Sequence, residues 1–139
     1  MQAIQTALCS FGMSGKLFHA PFISVSPEFH LRAVLERTNQ LAHKTYPGIR
    51  SYRTLDELLA DELIELVVVN TPNMTHFDFA KQIIRAGKHL IVEKPFTASV
   101  KEAEELIALA DQYRVKLSVY HNRRYDSGFR TVKKVLDEG

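Results

Sequence analysis

The stretch from Val69 to Pro95 constrains the fold more than any other. Val69-Asn70-Thr71-Pro72-Asn73-Met74-Thr75-His76 leads into an amphipathic helix that stops at Gly87-Lys88-His89, and Leu90-Ile91-Val92-Glu93-Lys94-Pro95 follows. A buried strand, a Thr-Pro turn, a helix and a second buried strand make one βαβ unit. In open α/β sheets ligands lie outside the carboxyl ends of the strands, so the loops Asn70–Asn73 and Glu93–Pro95 are expected to face one crevice. A Glu-Lys pair in that place is a candidate for chemistry, although a surface ion pair of little energetic weight is the plainer reading.

The alternation continues along the whole chain. Strands are expected at Ile4–Cys9, Phe29–Leu35, Ile49–Tyr52, Leu66–Val69, Lys88–Val92 and Val115–Tyr120. Helices are expected at Ser14–Ile23, Thr38–Thr45, Thr75–Ala86 with Gly87 as its cap, and Ser127–Glu138. Thr54-Leu55-Asp56-Glu57 and Ser99-Val100-Lys101-Glu102 have the form of capping boxes. Behind the second, Val100, Ala103, Leu106, Ile107, Ala110 and Tyr113 fall on one helical face. Pro21 should kink or end the first helix. This pattern specifies an α/β fold, a doubly wound parallel sheet.

The first strand runs into Ser10-Phe11-Gly12-Met13-Ser14-Gly15. This is the dinucleotide fingerprint with Ser10 in the first glycine position. Gly12 lets backbone approach a pyrophosphate, Gly15 permits close helix–strand packing, and the helix amino end offers free N–H groups. A tight turn without ligand has the same look, and Ser10 narrows the loop. Glu36 lies 21 residues beyond Gly15, near the spacing at which an acid receives ribose hydroxyls. Its neighbour Arg37 could instead pair with a 2′-phosphate. Solvated charges at a strand end fit both residues equally well.

A chain of 139 residues suits one domain with a real core. A net charge of +2 with scattered Lys and Arg gives no footprint for nucleic acid. No apolar run approaches membrane-spanning length and no leader pattern opens the chain. The single cysteine, Cys9, reads as a core residue and a cytoplasmic setting is the expectation. The six histidines lack ligand spacing, so no metal site is expected.

Together, Gly12-Met13-Ser14-Gly15, Thr71-Pro72-Asn73-Met74-Thr75-His76, Ala86-Gly87-Lys88-His89 and Glu93-Lys94-Pro95 resemble the Gfo/Idh/MocA oxidoreductases. His19-Ala20-Pro21, Glu36-Arg37 and Asn122-Arg123-Arg124-Tyr125-Asp126-Ser127 are similar to the branch holding NADP-dependent scyllo-inositol dehydrogenases, which tolerates Pro21. Gly128 departs from that branch, where an acid is common. The resemblance implies a Rossmann domain over residues 1–121, with 122–139 beginning the connection to a carboxyl-terminal β-sheet domain. The chain matches only the first of these and looks cut at Gly139.

The resemblance further implies NADP or NAD as cofactor, hydride transfer, and a polyol, sugar or related hydroxy compound as substrate. Lys94 corresponds to the catalytic lysine beside the nicotinamide and the substrate hydroxyl, and Glu93 to a residue near the nicotinamide ribose. Pro95 corresponds to a loop proline with a cis bond. The implied cofactor set is completed by Ser10, Gly12, Met13, Ser14, Gly15, Glu36, Arg37, Thr71, Pro72, Asn73, His76, Asn122 and Arg123. A helix-end histidine such as His76 is at least as often structural. The competing reading is a non-catalytic dinucleotide module, a redox sensor or a truncated remnant. Homo-oligomerisation stays open. The chain alone is expected to bind nucleotide without turnover.

Overall fold

The structure, a computed structural model, describes residues 2–139. Six strands form one parallel sheet: β1 Ile4–Leu8, β2 Phe29–Leu35, β3 Arg50–Tyr52, β4 Leu66–Val69, β5 His89–Glu93 and β6 Leu117–Tyr120. Their spatial order is β3-β2-β1-β4-β5-β6. The order reverses between β1 and β4, whose carboxyl ends therefore open into a switch-point crevice. Helices α1 Ala20–Val25, α2 Leu55–Leu59, α3 His76–Arg85, α4 Val100–Tyr113 and α5 Ser127–Glu138 complete the fold.

Strand alternation divides the core in two. Ala7, Val67, Val69, Leu90 and Val92 face a large cluster closed by α2, α3 and α4 through Leu58, Ile83, Ile84 and Leu106. Leu8, Val34 and Val68 point the other way, to a smaller cluster with Ala20 and Ala42. Both faces of the central strands are thus covered, which explains their unbroken apolar runs. Cys9 sits in the larger cluster, where burial pushes its thiol above the ordinary range. At the opposite end of the sheet Lys88 is buried, its Nζ donating to the carbonyls of Ile64 (2.8 Å) and Asp61 (2.9 Å).

The expected capping boxes form with one difference. Thr54 Oγ1 accepts from Glu57 N while Glu57 Oε2 accepts from Thr54 N. Ser99 Oγ accepts from Glu102 N, but Glu102 Oε2 reaches Ala98 N rather than Ser99 N. Gly87 takes the expected left-handed conformation, φ +71°.

Three expectations are corrected. The first helix is not uniform: a π turn, Gly15–His19, precedes α1. Pro21 has no N–H and its ring crowds the carbonyl four residues back, and the wider turn just ahead of it relieves that conflict. Thr38–Thr45 reduces to a single 3₁₀ turn, Ala42–Lys44, because the Glu36 carboxylate takes the N–H groups of Leu41 and Ala42. On α4 the buried strip is narrower than the periodicity suggests. Leu106 and Ala110 are buried and Leu109 packs on the core, whereas Val100, Ile107 and Tyr113 are exposed. Helix α5 has the expected span but buries no residue, leaving Phe129, Val132, Val135 and Leu136 open.

Helix α4 ends on Arg114 at φ +55°, a left-handed conformation in an exposed non-glycine residue. That conformation costs an L-residue roughly 1–2 kcal/mol, partly balanced by the entropy glycine loses on folding. Arg114→Gly should therefore stabilise the fold by about 0.5–1 kcal/mol, as a rise in the urea midpoint without change in slope.

Candidate functional site

The chain between β1 and α1 turns on Ser10–Gly15. Ser10 Oγ accepts from Gly12 N at 3.1 Å, so the residue in the first glycine position ties off one loop donor. A Cβ on Gly15 would lie 2.4 Å from the Ser10 carbonyl oxygen and 3.0 Å from Asn70 Nδ2. A Cβ on Gly12 would meet only Ser10 Oγ, at 3.3 Å. Gly15 is therefore the stricter requirement.

Asn70 ends β4 on the far side of the switch point. Its Nδ2 donates to the Ser10 carbonyl at 2.8 Å and to Ser14 Oγ at 3.3 Å. Its Oδ1 is buried with no partner among the described residues. An orphaned acceptor there is satisfied by an ordered water or by a donor from a bound molecule. Sequence reasoning did not single out Asn70. The available signal was a polar side chain closing an otherwise apolar, doubly covered strand.

The second loop follows β5. Glu93 is the last residue of that strand, and the Lys94–Pro95 bond is cis, as the resemblance implied. Glu93 Oε1 lies 2.8 Å from His19 Nε2. Its Oε2 accepts from Lys94 N at 3.2 Å. The carboxylate is thus held by His19 and not by the Lys94 ammonium, which makes no ion pair among the described residues. The surface-pair reading of Glu93-Lys94 does not describe this geometry.

These loops enclose one cleft of about 830 Å³. Ser10, Gly12, Met13 and Ser14 form one wall, Asn70, Thr71, Pro72 and Asn73 the next, and Glu93, Lys94 and Pro95 the third. The turn after β6 closes it with His121, Asn122, Arg123 and Arg124. Arg123 is partly neutralised by Asp126, 2.8 Å away, which also holds its guanidinium protonated above the ordinary range. Glycines beneath a helix start, free cations and an orphaned acceptor suit an elongated anionic ligand bearing hydroxyl groups.

Four of the expected site residues lie apart from this cleft. Gly15 sits beneath the loop, and Arg37 is exposed beyond the end of β2. Glu36 is corrected: its carboxylate is buried apart from the cleft and accepts from Leu41 N (2.8 Å), Ala42 N (3.3 Å) and Ser51 Oγ (2.7 Å). His76 is also corrected. It is fully buried, with Nδ1 2.8 Å from the Pro95 carbonyl and Nε2 2.9 Å from that of Thr71, so it joins the two loops from below and offers no atom to a ligand.

Strand order, glycine loop and switch-point cleft define a nucleotide-binding Rossmann domain. Residues 4–121 match the family model described as "Oxidoreductase family, NAD-binding Rossmann fold". The chain belongs to that family, the Gfo/Idh/MocA oxidoreductases. It is 44% identical to an uncharacterized oxidoreductase of Schizosaccharomyces pombe, and 37% identical to the scyllo-inositol 2-dehydrogenase (NADP(+)) IolW of Bacillus subtilis. Each alignment covers 100% of this chain and 39% of the relative. GenD2 from gentamicin A biosynthesis, solved in complex with NAD, superposes with a TM-score of 0.89 at 34% identity, over 97% of this chain and 39% of that one. The chain spans about two fifths of the length of the relatives it matches.

Gly15→Ala should push the Ser10 carbonyl out of place, since backbone rather than a flexible side chain opposes the new Cβ. Nucleotide affinity should fall more than tenfold, about 1.4 kcal/mol, in a calorimetric titration of the folded variant. Gly12→Ala should be milder, because the Ser10 hydroxyl can rotate away.

Proposed function

We propose that the chain is the cofactor domain of an NAD(P)-dependent oxidoreductase acting on a polyol, sugar or related hydroxy compound. Residues 1–121 form the dinucleotide domain and 122–139 begin the connection to a substrate domain. The observation that carries this reading is a lysine ammonium, Lys94, with no ion-pair partner among the described residues, lining the same cleft as the glycine loop. The name of the IolW relative supports the substrate class.

When bound, the nicotinamide takes or gives the hydride exchanged with the carbinol carbon. The chain's part is to bind, orient and move one proton. Gly12, Met13 and Ser14 would receive the pyrophosphate on backbone and helix start, with Ser10 limiting how many N–H groups are free. Thr71, Pro72 and Asn73 flank the path toward Glu93 and Lys94. Lys94 Nζ, as the neutral amine, would take the proton of the substrate hydroxyl as the carbon–oxygen single bond becomes a carbonyl, and as the ammonium would give it back in reverse. Asn122 and Arg123 border the mouth through which substrate enters.

We also infer a preference for NADP(H). The Glu36 carboxylate is turned inward onto internal donors and is not presented to a ligand, while Arg37 beside it is exposed. Arg53, also exposed, donates to the carbonyls of Arg37 and Thr38 and adds a second guanidinium to that corner. In fluorescence titrations at equal ionic strength the chain should bind NADPH more tightly than NADH. Arg37→Ala should weaken NADPH binding about tenfold and leave NADH nearly unaffected. Tighter NADH binding by the wild type would reverse the preference. Binding of neither would favour a remnant that has lost its ligand, with the Ser10–Gly12 contact the first thing to remove.

A further inference from the structure

His19 has no part in the scheme above, yet it is one of the few polar side chains buried near the site. It is 4% exposed and lines neither the glycine loop nor the cleft. The π turn Gly15–His19 ends on it, and its backbone departs from helical values at φ −122°, ψ −62°. Such turns gather at functional positions because the added residue redirects one side chain. Here the redirected side chain points at Glu93, 74 residues away in sequence.

Three elements meet at that ring. Glu93 lies opposite Tyr120 in the β5–β6 register. The His19 ring packs on the Tyr120 ring with centroids 4.5 Å apart, and Tyr120 Oη donates to the Phe18 carbonyl at 3.0 Å. The imidazole therefore has a fixed plane as well as a fixed partner. Burial pushes its pKa below the ordinary value, and the Glu93 hydrogen bond opposes that only in part. A neutral ring carries one N–H, and a carboxylate needs it on Nε2. With the Lys94 N–H on the other oxygen, both carboxylate oxygens of Glu93 are held.

We propose that His19 is a positioning residue for the inner end of the cleft: from behind, it sets the orientation of the Glu93 carboxylate that a bound nicotinamide riboside meets. This rests on the dinucleotide reading above. A fold needing only to fill the space would be served by an apolar side chain, since a desolvated ion or polar pair is seldom better for stability than packed hydrocarbon. Glu93 lines the cleft and His19 does not, so the histidine acts only through its partner.

The test compares whole dinucleotides with their adenosine halves on the 139-residue chain. NADPH is set against 2′,5′-ADP, and NADH against ADP, by calorimetry on wild type, His19→Leu and His19→Gln. Gln carries an amide donor near the place of Nε2, and Leu carries none. His19→Leu should weaken the dinucleotides at least fivefold and the halves less than twofold, and His19→Gln should restore dinucleotide affinity to within twofold of wild type. Equal weakening of wholes and halves, or no weakening of either, would overturn the role. So would failure of Gln to restore what Leu loses. If His19→Leu does not fold, His19→Asn, whose shorter amide falls short of Glu93, carries the same expectation. Wild-type binding of neither wholes nor halves would instead overturn the dinucleotide reading, and this role with it.

Discussion

The architecture of the site depends on one backbone carbonyl. Ser10 O receives Asn70 Nδ2 at 2.8 Å, and the space for that contact exists because Gly15 has no Cβ. The bond spans the switch point, joining the loop after β1 to the end of β4. Without it, the strand ladder through Cys9 N and the Val68 carbonyl would still define a crevice, but its two lips would be joined only by the longer Asn70–Ser14 contact. The same amide leaves its own oxygen unpartnered.

A second layer lies beneath the first. His76 holds the carbonyls of Thr71 and Pro95, and His19 holds the carboxylate of Glu93. Both histidines are buried, and both reach the end of β5 or the loop after it, far from their own helices in sequence. With the carboxylate engaged from behind, the Lys94 ammonium beside it is left without an internal counter-ion, so a bound anion or hydroxyl does not have to compete with Glu93 for it. The opposite end of the sheet has the reverse character: Lys88 is closed off by two carbonyls, and Asp61 by Arg32 and Tyr52.

The sheet was legible in the sequence because burial on both faces demands continuous apolar runs, as in Leu66–Val69, and because Gly87 and the capping residues mark where helices stop and start. Most of the cleft was legible too, since α/β topology brings the carboxyl-end loops together whatever their details. What escaped was set by single hydrogen bonds between residues distant in sequence. Glu36 has the right spacing for a ribose ligand, but spacing does not reveal that Ser51 and the Leu41–Ala42 backbone will claim its oxygens. His19 and Asn70 look unremarkable until Glu93 and Ser10, 74 and 60 residues away, come beside them. The α4 stripe was over-read because periodicity gives the direction of a face and not the width its neighbours cover.

The π turn ahead of Pro21 bears on how this stretch of chain tolerates insertion and deletion. One additional residue in an ordinary helix moves everything downstream by about 100° around the axis, whereas a π turn absorbs it within a wider turn. Phe22 and Val25 now face outward, 64% and 79% exposed, while His19 and Ala20 face inward. Removing one residue between Gly15 and His19 would let that turn close as an ordinary helical one and leave this assignment in place, the loss being taken up by the wider turn. The segment is thus a place where the chain can shorten by one residue without exchanging the side chains that face the sheet.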